Sequence, residues 1–444
     1  APKGEAPASE LAAQCPGCEI PEVALRGITL RQLREVMAKI LVRCAAEGWK
    51  VSGGPQAGEA LAAEHVNLYD TMTHVILPAT KPYRCSYVEL IAKGPQRPRY
   101  FVSHWWGEAV QEFIYCLAQH AADRMFDEDT PYWVCAYANN QYSLYAAVTS
   151  DPADSAFYQA LQTVEGVVSV VDKRGICFSR IWCVFEVFSA LVGELKPDFK
   201  YDVYTAVEHN IWGRKRHAVG LVDGAAIHSQ DMGNQKIGDK EFPGYKQTRE
   251  AFFPTGLLPK AVTLMLEKGE ASVDADRRHI LNSIAQRSGS ELDLEPHTAH
   301  PKYEEVNGLL HSRFAISTLK FGFQQEGELF EAYLAGLSRA REKFLKVDFN
   351  FYGDLPVEKH ERIVNALPLT VENLDMTGVK VIPETFGRLQ KLTRVNLCHS
   401  KDLKALPESL GDIPNLKNLV LKNCPSLTKL PSSIGRLQKL ERIE

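Results

Sequence analysis

A glutamate one helical turn beyond a tryptophan is the arrangement in this chain with the most chemistry in it. In Ser179-Arg180-Ile181-Trp182-Cys183-Val184-Phe185-Glu186, Trp182 and Glu186 stand four residues apart and share a face if the segment is helical. An apolar ring against a carboxyl group disfavours its charged form, which makes a glutamate a usable acid or base near neutrality. The competing use is structural: an ion pair of Glu186 with Arg180, Lys173 or Arg174. A second group of candidates is Ser103-His104-Trp105-Trp106, where a hydroxyl, an imidazole and two indoles follow an apolar run. Indoles are more often core than ligand platforms, so each of these needs a position to acquire a role.

The surrounding elements give that position. Trp182, Phe185, Ser189 and Ala190 recur at helical steps, with Ser179 placed to act as N-cap. The preceding Val167-Val168-Ser169-Val170-Val171 is β-branched and bounded by Gly166 and Asp172-Lys173-Arg174-Gly175, so it reads as a strand buried on both faces. Arg99 to Ser103 predicts an earlier strand ending at His104-Trp105-Trp106-Gly107-Glu108, followed by a helix from Val110 to Arg124. Tyr132 to Tyr137 predicts a second strand, Asp154-Ser155 the cap of a helix through Leu161, and Phe199 to Tyr204 a fourth strand. Strands separated by helices predict βαβ units and an α/β fold: a flavodoxin-like parallel sheet with helices on both faces. Ligands of such sheets bind beyond the carboxyl ends of the strands, where Ser103, His104, Trp105, Asn139-Asn140-Gln141 and Asp172 collect.

The chain has 444 residues, 45% of them apolar, which predicts two or three domains with sizeable cores. Fifty-one basic against fifty-five acidic residues, without a long block of one sign, do not favour nucleic acid or an anionic membrane as partner. No apolar run reaches the ~18 residues of a membrane helix, and the start of the chain has no signal-peptide core. Most of the ten cysteines sit in apolar runs, as reduced core residues of a cytoplasmic protein do. Cys15-Pro16-Gly17-Cys18 is the one C-x-x-C and lacks a second pair to complete a zinc site, so no metal is expected.

The expected organisation is a flexible leader over 1–21, a helical segment over 22–96, the α/β domain over 97–290, a helical linker region over 291–344, and repeats over 345–444. Thr29 can cap a helix from Leu30 to Leu41; further helices are expected over Asp274–Ile284 and from about Glu328 to Leu345. In the repeats, Ile382-Pro383-Glu384-Thr385-Phe386-Gly387, Leu406-Pro407-Glu408-Ser409-Leu410-Gly411 and Leu430-Pro431-Ser432-Ser433-Ile434-Gly435 recur every 24 residues. Short strands, Val395-Asn396-Leu397 and Leu419-Val420-Leu421, stand between them, with earlier irregular turns at Val347-Asp348-Phe349 and Leu374-Asp375-Met376.

These residues carry two resemblances. Phe101-Val102-Ser103-His104 resembles the first box of Toll/interleukin-1 receptor (TIR) domains, and Trp182-Cys183-Val184-Phe185-Glu186 is similar to their plant-type W-C-x-x-E motif. Trp105-Trp106-Gly107-Glu108 departs from the usual first box, and His209 to Pro259 is longer and more Gly-rich than a typical TIR tail. Many TIR domains cleave NAD with the glutamate of that motif, so the resemblance implies Glu186 as catalytic residue, with Ser103, His104, Trp105 and Trp182 around the substrate pocket and NAD as substrate rather than cofactor. It also implies self-association. The L-P-x-x-I/L-G-x-L period resembles leucine-rich repeats, which form an α/β solenoid with a concave face for a protein partner. The last repeat ends at Glu444 without a polar cap, as expected if the native chain continues or a partner covers it. Two functions follow: an NAD hydrolase with a docking array, or a non-enzymatic signalling or scaffold protein using both regions as interaction surfaces. An open polar crevice around Glu186 favours the first, and Glu186 locked in an ion pair the second.

Overall fold

A computed structural model describes residues 16–53, 55–143, 151–191, 199–211, 214–222, 250, 252–271, 273–351 and 354–444. Cys15 and most of the Gly-rich stretch between His209 and Pro259 lie outside the described residues. The chain divides into two compact units: residues up to 222 with Leu266–His300, and residues 250–265 with Pro301–Glu444.

The first unit is mixed α/β, with a parallel-rich sheet and helices on both sides. Its strands are β1 (Ile28–Thr29), β2 (Tyr100–His104), β3 (Pro131–Trp133), β4 (Gly166–Val170), β5 (Lys200–Ile211) and β6 (Arg214–Leu221), in the order β1-β3-β2-β4-β5-β6. The four inner strands are parallel, with Phe101 opposite Trp133 and Val167, and Val167 opposite Tyr201. Both edges are antiparallel, which corrects the expected all-parallel sheet. β1 also corrects the purely helical segment expected over 22–96: Ile28 is fully buried and pairs with Tyr132.

Thr29 then caps α1 (Leu30–Ala46), its hydroxyl accepting from the Gln32 amide while Gln32 accepts from the Thr29 amide, at 3.1 and 2.9 Å. The other helices of this unit that matter below are α2 (Val110–Asp123), α3 (Cys135–Ala138), α4 (Ala156–Thr163), α5 (Ile181–Leu191) and α6 (Asp274–Ile284). α2 packs on β4, β5 and β6 with α1 against it; α5 packs on β2, β4 and β5 with α6 against it. α3 replaces the second half of the expected strand Tyr132–Tyr137, because the amides of Tyr137 and Ala138 fold back to the Val134 carbonyl. The strand faces are mostly apolar, with Phe101, Val102, Trp133, Val167, Val168 and Val203 buried, and Ser103, His104, Ser169 and Asp202 are buried polar residues among them.

In the second unit α7 (Pro301–Ser317) and α8 (Gly327–Ser338) precede a five-stranded parallel sheet. Its strands follow one another in chain order: β7 (Phe344–Asp348), β8 (Asn373–Thr377), β9 (Arg394–Asn396), β10 (Asn418–Val420) and β11 (Arg442–Ile443). Leu345 thus belongs to a strand rather than to the end of a helix, since the chain leaves α8 at Ser338. Alternate residues Leu345, Val347, Leu374, Met376, Val395 and Leu419 point into one core. A 3-10 turn follows each Pro of the 24-residue period, and successive turns are tied by one device. The Glu384 carboxylate accepts from the amides of Glu408 and Ser409 at 3.0 and 2.9 Å, and Glu408 does the same for Ser432 and Ser433 at 2.9 Å each. No described helix is long and apolar enough to cross a membrane.

Candidate functional site

β2 delivers Ser103 and His104 to the carboxyl end of the sheet, beside the point where neighbouring β2 and β4 lead their chains to opposite directions of the strand order. The chain leaves through Trp105-Trp106-Gly107-Glu108. A Cβ on Gly107 would lie 2.1 Å from the Trp105 ring, so only glycine lets that indole fold back over the backbone. The Trp105 ring is also faced by the Arg174 guanidinium at 5.2 Å, and Trp106 donates its indole N–H to Cys135 Sγ at 3.2 Å. α5 supplies Trp182, Cys183 and Glu186. Ser179 does not cap it: the Ser179 hydroxyl turns back to the Ile176 carbonyl at 2.8 Å, closing the 3-10 turn Ile176–Ser179 that leads into the helix.

These side chains surround a cavity of about 230 Å³. His104, Trp105, Trp182 and Glu186 all line it, and Ser103 is fully buried behind the carboxyl group. Trp106, Cys135, Phe157, Arg180, Cys183 and Glu270 are also part of the wall. Trp182 is held by its N–H to Asp276 Oδ2 at 3.0 Å and stacks on Phe157 at 5.2 Å. Sequence reasoning missed Cys135 and Phe157, which lie far along the chain and carry no motif; Trp106 was legible as the second indole of a pair.

The electrostatics are unusual for a buried site. Glu186 is 5% exposed, and its Oε2 has no hydrogen-bond partner. Burial pushes its pKa well up, the neighbouring Cys183 adds to this, and Ser103 opposes it weakly without making a hydrogen bond of good geometry. None of the three candidate cations pairs with it: Lys173 binds Glu112, Arg174 lies 3.8 Å from Asp172, and Arg180 lines the cavity without an ion pair to Glu186. His104 places Nδ1 3.2 Å from the Val102 carbonyl, and because a carbonyl only accepts, Nδ1 carries the proton. Burial lowers the imidazole pKa to about 4, so at neutral pH Nε2 bears a lone pair, and it too has no partner. Glu108, 5% exposed, is a second such acid: neither carboxyl oxygen has a partner, and burial followed by Asp172 and Glu112 pushes its pKa well up.

The cavity therefore brings together a carboxyl group whose pKa is raised, an imidazole with a free lone pair on Nε2, the Arg180 and Glu270 side chains, and aromatic walls. It is smaller than the ~300–1,000 Å³ of drug-sized pockets, which fits the reacting part of a ligand rather than the whole. A larger cavity of about 840 Å³ is lined by Arg26, Arg84, Glu89 and Asn139, but its buried acid, Glu89, is paired with Arg26 at 3.1 Å. Among the described residues no group of three His, Cys, Asp or Glu side chains is arranged to hold a metal ion. The sequence matches no model of a known protein family, and no curated protein matches it.

Proposed function

We propose that the first unit is a TIR-like NAD hydrolase in which Glu186 cleaves the nicotinamide–ribose bond. The observation that supports this most is the Glu186 carboxyl group itself, buried, unpaired and walled by indoles at the carboxyl end of a parallel sheet. A pyridinium ring is flat and cationic. Its arrival places a positive charge beside Glu186 that favours the ionised carboxyl group, and the carboxylate then stabilises the positive charge that develops on the ribose as nicotinamide leaves. Water adds to the ribose carbon, yielding nicotinamide, ADP-ribose and a proton. His104 Nε2, a fixed acceptor, orients a ribose hydroxyl or the attacking water.

In this reading residues from 345 onward are a leucine-rich-repeat solenoid that docks a protein partner, supported by the chain-order strands and the Glu384 and Glu408 ties. Self-association of the TIR-like unit completes the active form. The nine described cysteines are free thiols, which fits work in the cytoplasm.

The test is product formation from NAD by concentrated protein. Glu186→Gln should fold and lose roughly a hundredfold in rate, about 3 kcal/mol of transition-state stabilisation. Because the reactive form is ionised and the free acid has a raised pKa, kcat/KM should rise with pH above the ordinary carboxylate range. Equal turnover by both proteins, or none by either under assembling conditions, would leave a signalling scaffold.

A further inference from the structure

The larger cavity of the first unit, about 840 Å³, takes no part in the mechanism proposed above. It shares two helices with the smaller one. α3 gives Cys135 to the small cavity and ends at Asn139 in the large one, while α4 gives Phe157 to the first and Ala156 to the second. Asn139 closes α3, its amide donating to the Cys135 carbonyl at 3.2 Å. It is 2% exposed, and its side-chain Oδ1 has no hydrogen-bond partner. We propose that the larger cavity is a second ligand site, for an aminopurine nucleoside whose exocyclic amine donates to Asn139.

The charges of the wall decide the class of ligand. Arg26 and Glu89 form its buried part, and both are satisfied within the protein. One guanidinium nitrogen of Arg26 lies 3.1 Å from Glu89 Oε1, and its Nε donates to the Ile20 carbonyl at 2.8 Å. Glu89 also accepts from the amides of Ile20 and Ser86, at 3.1 and 2.9 Å. The deep wall is therefore electroneutral, which disfavours an ion there. At the rim stand Arg84, its guanidinium over the Tyr142 ring at 4.9 Å, and two exposed carboxylates, Glu19 and Asp154. One positive and two negative charges leave the rim negative, which opposes a phosphate and favours hydroxyl donors.

A neutral, donor-rich ligand follows from this. A buried acceptor without a donor costs about 1–3 kcal/mol, and a ligand N–H brought to Asn139 Oδ1 removes that cost. An aminopurine is the base whose edge an asparagine amide meets twice, Oδ1 accepting from the amine while Nδ2 donates to the adjacent ring nitrogen. Tyr83 in the wall offers its ring to a flat base. The ribose hydroxyls donate to the rim carboxylates, the usual partners of a ribose diol. The volume lies within the ~300–1,000 Å³ of ligand pockets and takes a nucleoside whole. The inference rests on the larger cavity alone and holds whether or not the smaller one cleaves NAD.

The test is equilibrium binding to the full chain, read by calorimetry, with adenosine, inosine and AMP as probes. Adenosine should bind saturably with a Kd below about 1 mM. Inosine carries a carbonyl oxygen where adenosine carries the amine, which sets acceptor against acceptor, so it should bind at least about tenfold more weakly. AMP should bind no more tightly than adenosine, and Asp154→Asn should raise its affinity relative to adenosine by up to about fivefold. Asn139→Leu should weaken adenosine binding at least about tenfold, while Glu186→Gln, in the smaller cavity, should leave it unchanged. No adenosine binding, inosine or AMP bound as tightly as or more tightly than adenosine respectively, binding unchanged in Asn139→Leu, or binding lost in Glu186→Gln overturns the proposal. The comparison of adenosine with inosine on the wild type needs no variant to fold.

Discussion

Asp202 and Glu186 are buried carboxyl groups of the same unit, and their surroundings are opposite. Asp202, on β5 near the amino ends of the strands, is fully enclosed. It accepts from His120 at 3.0 Å and from Arg124 at 2.9 and 2.6 Å, while His120 Nδ1 lies 2.9 Å from the Tyr132 hydroxyl. Burial alone would raise its pKa; His120 and Arg124 together overcome that and hold the carboxylate well below its ordinary range. Glu186, near the carboxyl ends, meets the same burial with no partner, and its pKa moves the other way. Burying an acid is costly, and the fold meets that cost locally only at Asp202. One end of the sheet is built for stability, and the other leaves a group whose partner must come from outside.

Stability measurements separate the two most sharply. Asp202→Asn leaves Arg124 buried without its anion, at 10% side-chain exposure, and should cost about 3–5 kcal/mol in urea unfolding. Glu186→Gln removes no ion pair and, at acid pH where the carboxyl group carries its proton in both the folded and unfolded chain, should fall within about 1 kcal/mol of wild type. Similar losses at both positions would end the comparison.

The pH dependences should also oppose each other. Asp202 has a depressed folded pKa, so its stabilisation is present above the unfolded value and is lost as pH falls below it. Glu186 has a raised folded pKa, so the fold loses stability as pH rises from the unfolded carboxylate value through the folded one. The advantage of Glu186→Gln over wild type should therefore grow with pH in paired melts between acid and neutral conditions; a constant difference would mean that Glu186 titrates normally. His360 in the second unit acts in the acid range too: buried against Phe349, with a pKa lowered to about 4 by burial and Lys380, it stabilises that unit above its ordinary pKa and loses that effect as pH falls toward 4. His360→Gln should remove this part of the acid sensitivity, read from the pH dependence of unfolding of the second unit.

How much of this was legible follows from the range over which each feature is encoded. The helix of Trp182 and Glu186 and the 24-residue period are local patterns, and both stand where their spacing placed them. β1 has two residues, too few for any period, and Tyr132, Trp133, Val134, Ala136 and Tyr137 are buried although only the first part of their segment is strand. The Asp202 network could not be seen at all, since its partner His120 stands 82 positions away. The cavity was half legible for the same reason: motifs mark His104, Trp105 and Glu186, but Cys135 and Phe157 reach the wall only through folding.

The smallest expected effect tests whether the cavity wall is positioned or merely packed. Trp182 reaches from α5 to Asp276 on α6 with one N–H, at the half-buried edge of the cavity, where water can replace a lost partner. Trp182→Phe keeps an aromatic ring against Phe157 and removes that bond, so it should cost about 1 kcal/mol, far less than the loss at Asp202. Asp276→Ala removes the same bond from the other side. If the bond anchors the indole, the two substitutions together should cost less than their sum by roughly 0.5–1.5 kcal/mol in a double-mutant cycle. Strict additivity would mean that stacking on Phe157 alone sets the ring, and that this wall of the cavity owes its position to packing.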